Sequence, residues 1–352
     1  SPIMNNNKTT IQTTYGSFEI GQPFIDLINS PAMQRLKKIS MGGITSFVKG
    51  SNYKDYFRYE HSINVLALLI KYRAGQEEQI AGLLHDISHT AFSHVGDILF
   101  RGTQNECYQD DVHEWFLKHQ EIDSLLEKYN ISINAILHKE GDFKRLEQNL
   151  PDICIDRLDY NIQVALNNKI INTQELSQLL ESLKFEDEKW FFSDIEMAKL
   201  FAKIPLYFNE NYWASPNQIL AYKLTANAMQ RAMDLKILTT DEIHFSDDLT
   251  VWQKLKNSDD EQILKYLNQV ENVKQIFKLS THSDCDMILT GKFRGIDPWV
   301  KTKALEGTPL EFAPLKYGKN LVRLTDLDPE FKSEFERVKN VIDSGWPIKF
   351  VL

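Results

Sequence analysis

The stretch AGLLHDISHTAFSH, residues 81–94, sets His85 and Asp86 side by side at the end of an apolar run. Neighbouring residues in a regular helix point about 100° apart. An imidazole and a carboxylate in that order cannot both face one interior point from an intact helical turn, so the helix is expected to distort or end there. His61 in FRYEHS upstream and Asp156 in CIDRLDY downstream bring one more nitrogen and one more oxygen donor, each on a different apolar segment. Five of the nine histidines, His61, His85, His89, His94 and His113, fall within residues 61–113. Four ligand-type side chains spread over three apolar segments are the signature of a divalent metal site. An ion that bridges separate helices also favours their folded arrangement, because the unfolded chain has no such site.

The chain has 352 residues, more than a single core usually holds, which suggests one large domain with a smaller one attached or two modest domains. Its 42% hydrophobic and 25% charged residues are those of an ordinary globular protein and make no case for disorder. The longest apolar stretch, INVLALLI, is interrupted by Asn64 and followed by Lys71, too short for the roughly 20 residues of a membrane helix. Ser1-Pro-Ile ahead of Met4 has the look of an expression scar, and no basic, apolar, small-residue order of a signal peptide follows it, so a cytoplasmic location is expected. Cys107, Cys154 and Cys285 are odd in number and far apart, which suits buried thiols and not a disulfide framework or a zinc knuckle. A net charge of −9 argues against a protein that coats nucleic acid, since Lys and Arg supply most of that affinity. A small anionic ligand held by a local basic cluster stays compatible with it.

The periodicity predicts a mainly α fold. Thr10–Ile20, β-branched with Gly16 as a turn, reads as a short hairpin or edge strand. Helices are expected from Phe24 onward, with Ser30 as cap and Pro31 in the first turn, and then at Ser62–Tyr72, Gln79–Leu84, Val112–His119, Ile131–Leu137, Ile153–Val164, Thr173–Leu183, Ile195–Phe208 and Gln218–Leu235. After Thr239 the segments IHF, FAPLKYGKNLVRL and WPIKFVL read as short strands among helices such as Glu261–Phe277. The expected division is an N-terminal segment at 1–22, a helical core at 23–238 and a smaller mixed α/β region at 239–352.

Two imidazoles with two carboxylates suit one borderline-to-hard divalent ion such as Mg, Mn, Co, Fe or Ni, with open coordination positions. A closed zinc site would want thiolates or a third histidine. Such an ion serves hydrolysis at phosphorus. Arg58, one turn before His61, is placed to hold a phosphate two-pronged. Arg157 adjoins Asp156, and Tyr160 shares its helix face at i+4. His89, His94 and His113 are candidates for proton transfer or phosphate contact, with Asp97 available to orient one of them. His119, His138, His244 and His282 read as structural histidines, and Arg35 with Lys37 and Lys38 as a surface patch. The charge runs Asp110-Asp111, Glu186-Asp187-Glu188 and Asp259-Asp260-Glu261 read as solvated faces or caps.

The phrases QRLKKI, FRYEHS, LLHDISHTAFSH and DRLDY, in this order over about Tyr15 to Asp234, resemble the HD-domain phosphohydrolases, and within them the SAM-and-HD-domain deoxynucleotide triphosphohydrolase branch. The resemblance implies an HD-domain helical core and His61, His85, Asp86 and Asp156 as metal ligands. It implies phosphate-side roles for His89 and His94, and an acid pair of Asp97 with His113 that protonates the departing oxygen. Arg58, Arg157, Tyr160 and Tyr222 fall on phosphate- and sugar-contacting positions, Arg157 replacing a lysine and Tyr222 closing the sugar side. Relatives commonly form homo-oligomers.

Three departures bear on the substrate. Met41 stands where the branch has a glutamine and Val164 where it has an aspartate, both of which hold the sugar; Ala214 stands where an arginine grips the distal phosphates. Asn29 and Lys37 occupy two places where regulatory nucleotide contacts are poorly matched. Losing polar partners in a closed pocket changes what it accepts. The expectation is stepwise removal of phosphate from a (deoxy)nucleotide or nucleotide analogue, as in HD enzymes of nucleoside-antibiotic biosynthesis. The alternatives are a dNTP triphosphohydrolase releasing tripolyphosphate, a non-catalytic nucleotide sensor, and an HD-fold iron oxygenase with a second metal.

Overall fold

The computed structural model describes residues 7–104, 107–137, 142–302, 316–317 and 320–351; the Ser1-Pro-Ile segment, His138 and part of FAPLKYGKNLVRL lie outside them. The expected hairpin is there, with Thr9–Thr13 antiparallel to Gly16–Ile20. Ser30 caps the helix Pro31–Arg35, its hydroxyl accepting from the Met33 N–H with proline in the first turn.

The described residues form two compact units, each assembled from separated stretches: 1–51, 55–142 and 221–272 in the first; 52–54, 143–220 and 273–352 in the second. A linear cut near residue 238 does not correspond to them. The reason is that the chain returns: the stretch after Ala221 packs with the N-terminal helices, while the strands after Val273 pack with the helices of the middle third.

In the first unit the helix Arg58–Lys71 is buried at every position from His61 to Leu69, as a central helix must be. The helix Gln76–Leu84 packs beside it and contributes Ile80, Leu83 and Leu84, all fully buried. Helices Val95–Arg101 and Tyr108–His119 follow, then Thr240–Phe245, Asp248–Lys256 and Glu261–Glu271. The segment IHF, expected as a strand, is therefore the end of a helix. Thr239 and Glu242 form a capping box at its start, and that local signal outweighs the β-branched run. Asp260 of the last acidic run is likewise a cap, accepting from the Ile263 N–H.

In the second unit, helices Ile155–Asn167, Thr173–Ser182 and Ile195–Phe208 accompany a sheet in the order Leu183–Glu186, Lys189–Phe192, Trp299–Lys301, Leu321–Arg323, Lys316–Tyr317. Only the Lys189–Phe192 and Trp299–Lys301 pair is parallel. The first two strands were hidden inside a region expected to be nearly all helix; Asp187 and Glu188, both in left-handed backbone, form their turn. A second sheet sets Trp346–Phe350 between Phe277–Leu279 and Met287–Leu289. The helix Pro329–Ser344, which the periodicity missed, starts on the Asp328 cap with proline at its first position. The fold is thus mainly α with a smaller strand-containing C-terminal part.

Candidate metal centre

The helix Gln76–Leu84 ends where the adjacent histidine and aspartate require it to. Beyond Leu84 the backbone bonds tighten to i→i+3 spacing, with the N–H of His85, Ile87 and His89 donating to the carbonyls of Gly82, Leu84 and Asp86. Phe92 and Ser93 then take left-handed backbone, at φ of 63° and 52°, before the next helix starts at Val95. Two consecutive non-glycine residues in that region cost free energy and persist only where their surroundings over-determine them. Here they do. The Phe92 N–H donates to Asp248, the Ala91 N–H to the Ile243 carbonyl and the Ser93 hydroxyl to the Ser40 carbonyl, while the Phe92 ring is fully buried.

This bent segment brings His85 and Asp86 to His61. The His61 and His85 Nε2 atoms are 3.2 Å apart, and they lie 3.7 Å and 3.4 Å from the two Asp86 oxygens. One ligand atom from each of the three residues lies within 4.8 Å of the others. Ligands about 2.1 Å from a common ion sit roughly 3.0–3.4 Å apart along octahedral or tetrahedral edges, so the donor set fits a divalent cation. The tautomer fits too. His85 Nδ1 lies 2.6 Å from the Gly82 carbonyl and must donate to it, which leaves Nε2 as a lone-pair donor. Burial opposes ionisation of Asp86, but His85, Arg58 and His89 around it hold the carboxyl well below the usual range.

Arg58 is turned inward. Its Nη1 donates to Asp86 at 2.7 Å and its Nε to Ser93 Oγ at 2.8 Å, and only 3% of the residue is exposed. Arg58, expected to hold a phosphate two-pronged, grips the Asp86 carboxylate and the Ser93 hydroxyl here. His89 Nε2 lies 3.4 Å from the other Asp86 oxygen, and burial, aided by nearby Arg58, pushes its imidazole down to about 3. His94 Nδ1 is 3.0 Å from Asp97, whose second oxygen accepts the Tyr108 N–H. The histidine that Asp97 orients is therefore His94, not His113. His113 Nδ1 instead meets Ser88 Oγ at 2.6 Å and the Gln109 amide nitrogen at 3.3 Å.

The Tyr222 phenol donates to the Gly42 carbonyl at 2.8 Å, so it fastens the Ser40–Gly43 loop. At Gly43, φ is +67° and an added Cβ would stand 2.6 Å from the Phe92 carbonyl oxygen, so the loop and the bent segment meet where only glycine fits. Asp248 bridges the same two segments by accepting the N–H of Ser40 and of Phe92. Burial pushes its carboxyl up to about 7, and that of Asp55, which accepts the Gly42 N–H, to about 6. Arg35, read from sequence as surface, is half-buried and turned inward: Nε and Nη2 each donate over 2.7 Å, to the carbonyls of Ser246 and His89. Arg35, Ser88 and Gln109 carried no metal or acid–base signature, and Asp248 is one of many acidic residues outside the motifs, so residue type alone did not mark them.

In the second unit Asp156 stands in the first turn of Ile155–Asn167, half-buried, with Arg157 and Tyr160. Arg157 Nη1 donates to the backbone carbonyls of Gln148 and Asp152, the latter at 2.9 Å, so part of its guanidinium serves its own unit. The Tyr160 ring meets Trp213 edge-on, with centroids 5.5 Å apart. Val164 and Ala214 are each 1% exposed. Gly291 packs against Ala214 so closely that a Cβ there would approach it to 2.8 Å, so position 214 is core and has no room for a phosphate-binding arginine. Cys154 is buried as expected, whereas Cys107 and Cys285 are partly exposed; burial pushes the Cys107 and Cys154 thiols up to about 12.

Residues 58–161 match the family model of the HD domain. The uncharacterized protein YdhJ of Bacillus subtilis is 32% identical over 300 residues, which cover 83% of this chain and 90% of that protein. The chain belongs to the HD-domain family. The HD match begins at Arg58, which holds Asp86, and takes in His61, the His85-Asp86 pair and Asp156. The metal-dependent phosphohydrolase cns2 of Cordyceps militaris is 24% identical over 277 residues, 76% of this chain and 79% of that one. A phosphohydrolase structure from Bacteroides thetaiotaomicron covers 80% of both chains with a TM-score of 0.59 at 18% identity, a likeness of fold. Among the described residues of this HD-domain protein, no helix is long and apolar enough to cross a membrane.

Proposed function

We propose that this HD-domain protein is a metal-dependent phosphohydrolase that removes phosphate stepwise from a (deoxy)nucleotide or nucleotide analogue. The observation that carries the hydrolase reading is the convergence of His61, His85 and Asp86 in one buried cluster with Nε2 of His85 left as a donor. A divalent ion there polarises a phosphoryl oxygen and lowers the pKa of water, which is what hydrolysis at phosphorus needs. The motif order assigns Asp156 to the same ion, and Arg157, Tyr160 and Tyr222 to the substrate. Arg58 keeps Asp86 ionised and aimed, a supporting role of the kind that tunes metal affinity.

His94, oriented by Asp97, contacts the phosphate, and His113 donates the proton to the departing oxygen. Burial favours the neutral form of His89, which suits a hydrogen-bonding role beside Asp86. The nucleotide class rests on the motif resemblance, and the stepwise course on Met41 and on the core position of Ala214.

The test is incubation with dATP, dADP, dAMP and the ribonucleotides in the presence of Mg, Mn or Co, with products separated by chromatography. Stepwise orthophosphate supports the proposal; one jump from triphosphate to nucleoside with tripolyphosphate establishes the triphosphohydrolase alternative. Phosphatase activity in His85→Ala protein with metal chelated would sink both.

A further inference from the structure

Neither Ser88 nor Gln109 carries a role read from the sequence, yet both are buried and both reach His113. Gln109 precedes His113 by four residues on the helix Tyr108–His119, so the two share a face. Its amide nitrogen lies 2.7 Å from the His85 carbonyl oxygen and 2.6 Å from Ser88 Oγ. A carbonyl offers only lone pairs, so the amide end that faces it must be the NH2, and the orientation of the Gln109 side chain is thereby set. Both of its N–H bonds are then committed, one to His85 and one to Ser88.

Ser88 Oγ, already accepting, has a single proton to give. Its neighbours are His113 Nδ1 at 2.6 Å and the Gln109 backbone carbonyl at 3.4 Å, and either could take that proton. The Gln109 amide nitrogen, a donor only, also stands 3.3 Å from Nδ1, so a proton on Nδ1 would face it, whereas an unprotonated Nδ1 takes the Ser88 proton over the shorter bond. A ring nitrogen that accepts a hydrogen bond carries no hydrogen, so a neutral His113 carries its proton on Nε2.

We infer that Ser88 and Gln109 are positioning residues that hold His113 as the Nε2–H tautomer and tie its ring to the peptide of His85. The inference deepens the phosphohydrolase reading, because neutral His113 then presents Nε2–H as a hydrogen-bond donor to the departing oxygen; transfer of the proton itself needs the imidazolium, whose Nδ1–H Ser88 accepts by turning its own proton to the Gln109 carbonyl. The tautomer itself is a property of the folded chain and is measured without turnover.

The test is histidine-selective 15N labelling of the full chain, with His113→Asn used to assign the His113 signals, at about pH 8, well above the ordinary histidine pKa of about 6.5. The expected spectrum shows an unprotonated Nδ1 and a protonated Nε2. Gln109→Glu puts an acceptor where two donors were, turns the Ser88 proton toward it and moves the His113 proton to Nδ1. Ser88→Ala removes the donor at nearly constant volume and gives a mixture of tautomers. If Gln109→Glu fails to fold, Gln109→Met, which removes the donors without adding charge, takes its place and gives a mixture.

A wild-type Nδ1 that carries a proton, in a neutral ring or an imidazolium, overturns the inference. A tautomer unchanged in a variant overturns the part assigned to that residue. In phosphate-release assays both substitutions lower kcat about tenfold or more with KM nearly constant. A wild type that releases no phosphate from any nucleotide removes the phosphohydrolase reading and leaves the tautomer result standing.

Discussion

The bent segment 85–94 of the first unit and the three-stranded sheet of the second are both irregular or short, and they are held in opposite ways. In the bend, Asp86, Ser88, His89, Thr90 and Ser93 are all buried; Asp86, Ser88 and Ser93 meet Arg58, Gln109 and the Ser40 carbonyl, and the Phe92 N–H meets Asp248. In the sheet, Leu279 is 57% exposed, Ile288 42% and Phe350 43%, and the ion pair of Lys349 with Asp284 lies at the surface. A buried polar network in low dielectric is costly to break at any point, whereas exposed contacts on a small sheet each contribute little. Sensitivity to substitution is therefore expected to concentrate in the bend.

The contrast is broken most directly at Asp86. Asp86→Ala removes a proposed metal ligand and leaves the Arg58 charge buried without its carboxylate partner, so metal-dependent phosphate release is expected to be lost and denaturation to show a loss of about 3–5 kcal/mol. A folded, active Asp86→Ala protein would put the metal elsewhere. Next comes Asp248, whose carboxyl is raised by burial from 3.8 to about 7. A raised carboxyl binds more protons folded than unfolded between those values, so its contribution to stability is greatest below about pH 4 and declines as pH rises to about 7. The stability of wild type minus that of Asp248→Asn should fall over this window, by up to about 4 kcal/mol at about 1.4 per pKa unit. Paired urea titrations at the two ends of the window check it, and a constant difference contradicts it.

Gly43→Ala sharpens the comparison further, since its left-handed backbone and the Phe92 carbonyl leave no place for a methyl group. A loss of about 1–3 kcal/mol is expected from calorimetry. The smallest effect belongs to the sheet: Lys349→Ala should leave the urea midpoint nearly unchanged and phosphate release unaltered. A large effect there would mean that the sheet is as tightly constrained as the bend.

The helix break was legible because it follows from two adjacent side chains that cannot share one direction in an intact turn. The capped helix at Pro31 was legible because its signal is local. The strands Leu183–Glu186 and Lys189–Phe192 were not, since Leu183, Phe191 and Phe192 pass equally well for buried helix until a partner strand is known. The same holds for histidine partners. His94 and His113 each read as able to meet Asp97. Only the packing of Tyr108–His119 against Val95–Arg101 separates them, giving His94 to Asp97 and His113 to Ser88.

Residue types and local spacing were enough to name the metal-ligand chemistry, the mainly helical class and the end of the helix at Leu84, because each depends on neighbours along the chain. The tertiary structure alone decided that Arg58 faces Asp86, that Arg35 reaches inward to the Ser246 and His89 carbonyls, that Ala214 is core and that Ser88 with Gln109 stands behind His113. Those outcomes depend on which groups are brought together from distant positions and left without water. A buried donor or acceptor then takes whichever partner the packing supplies.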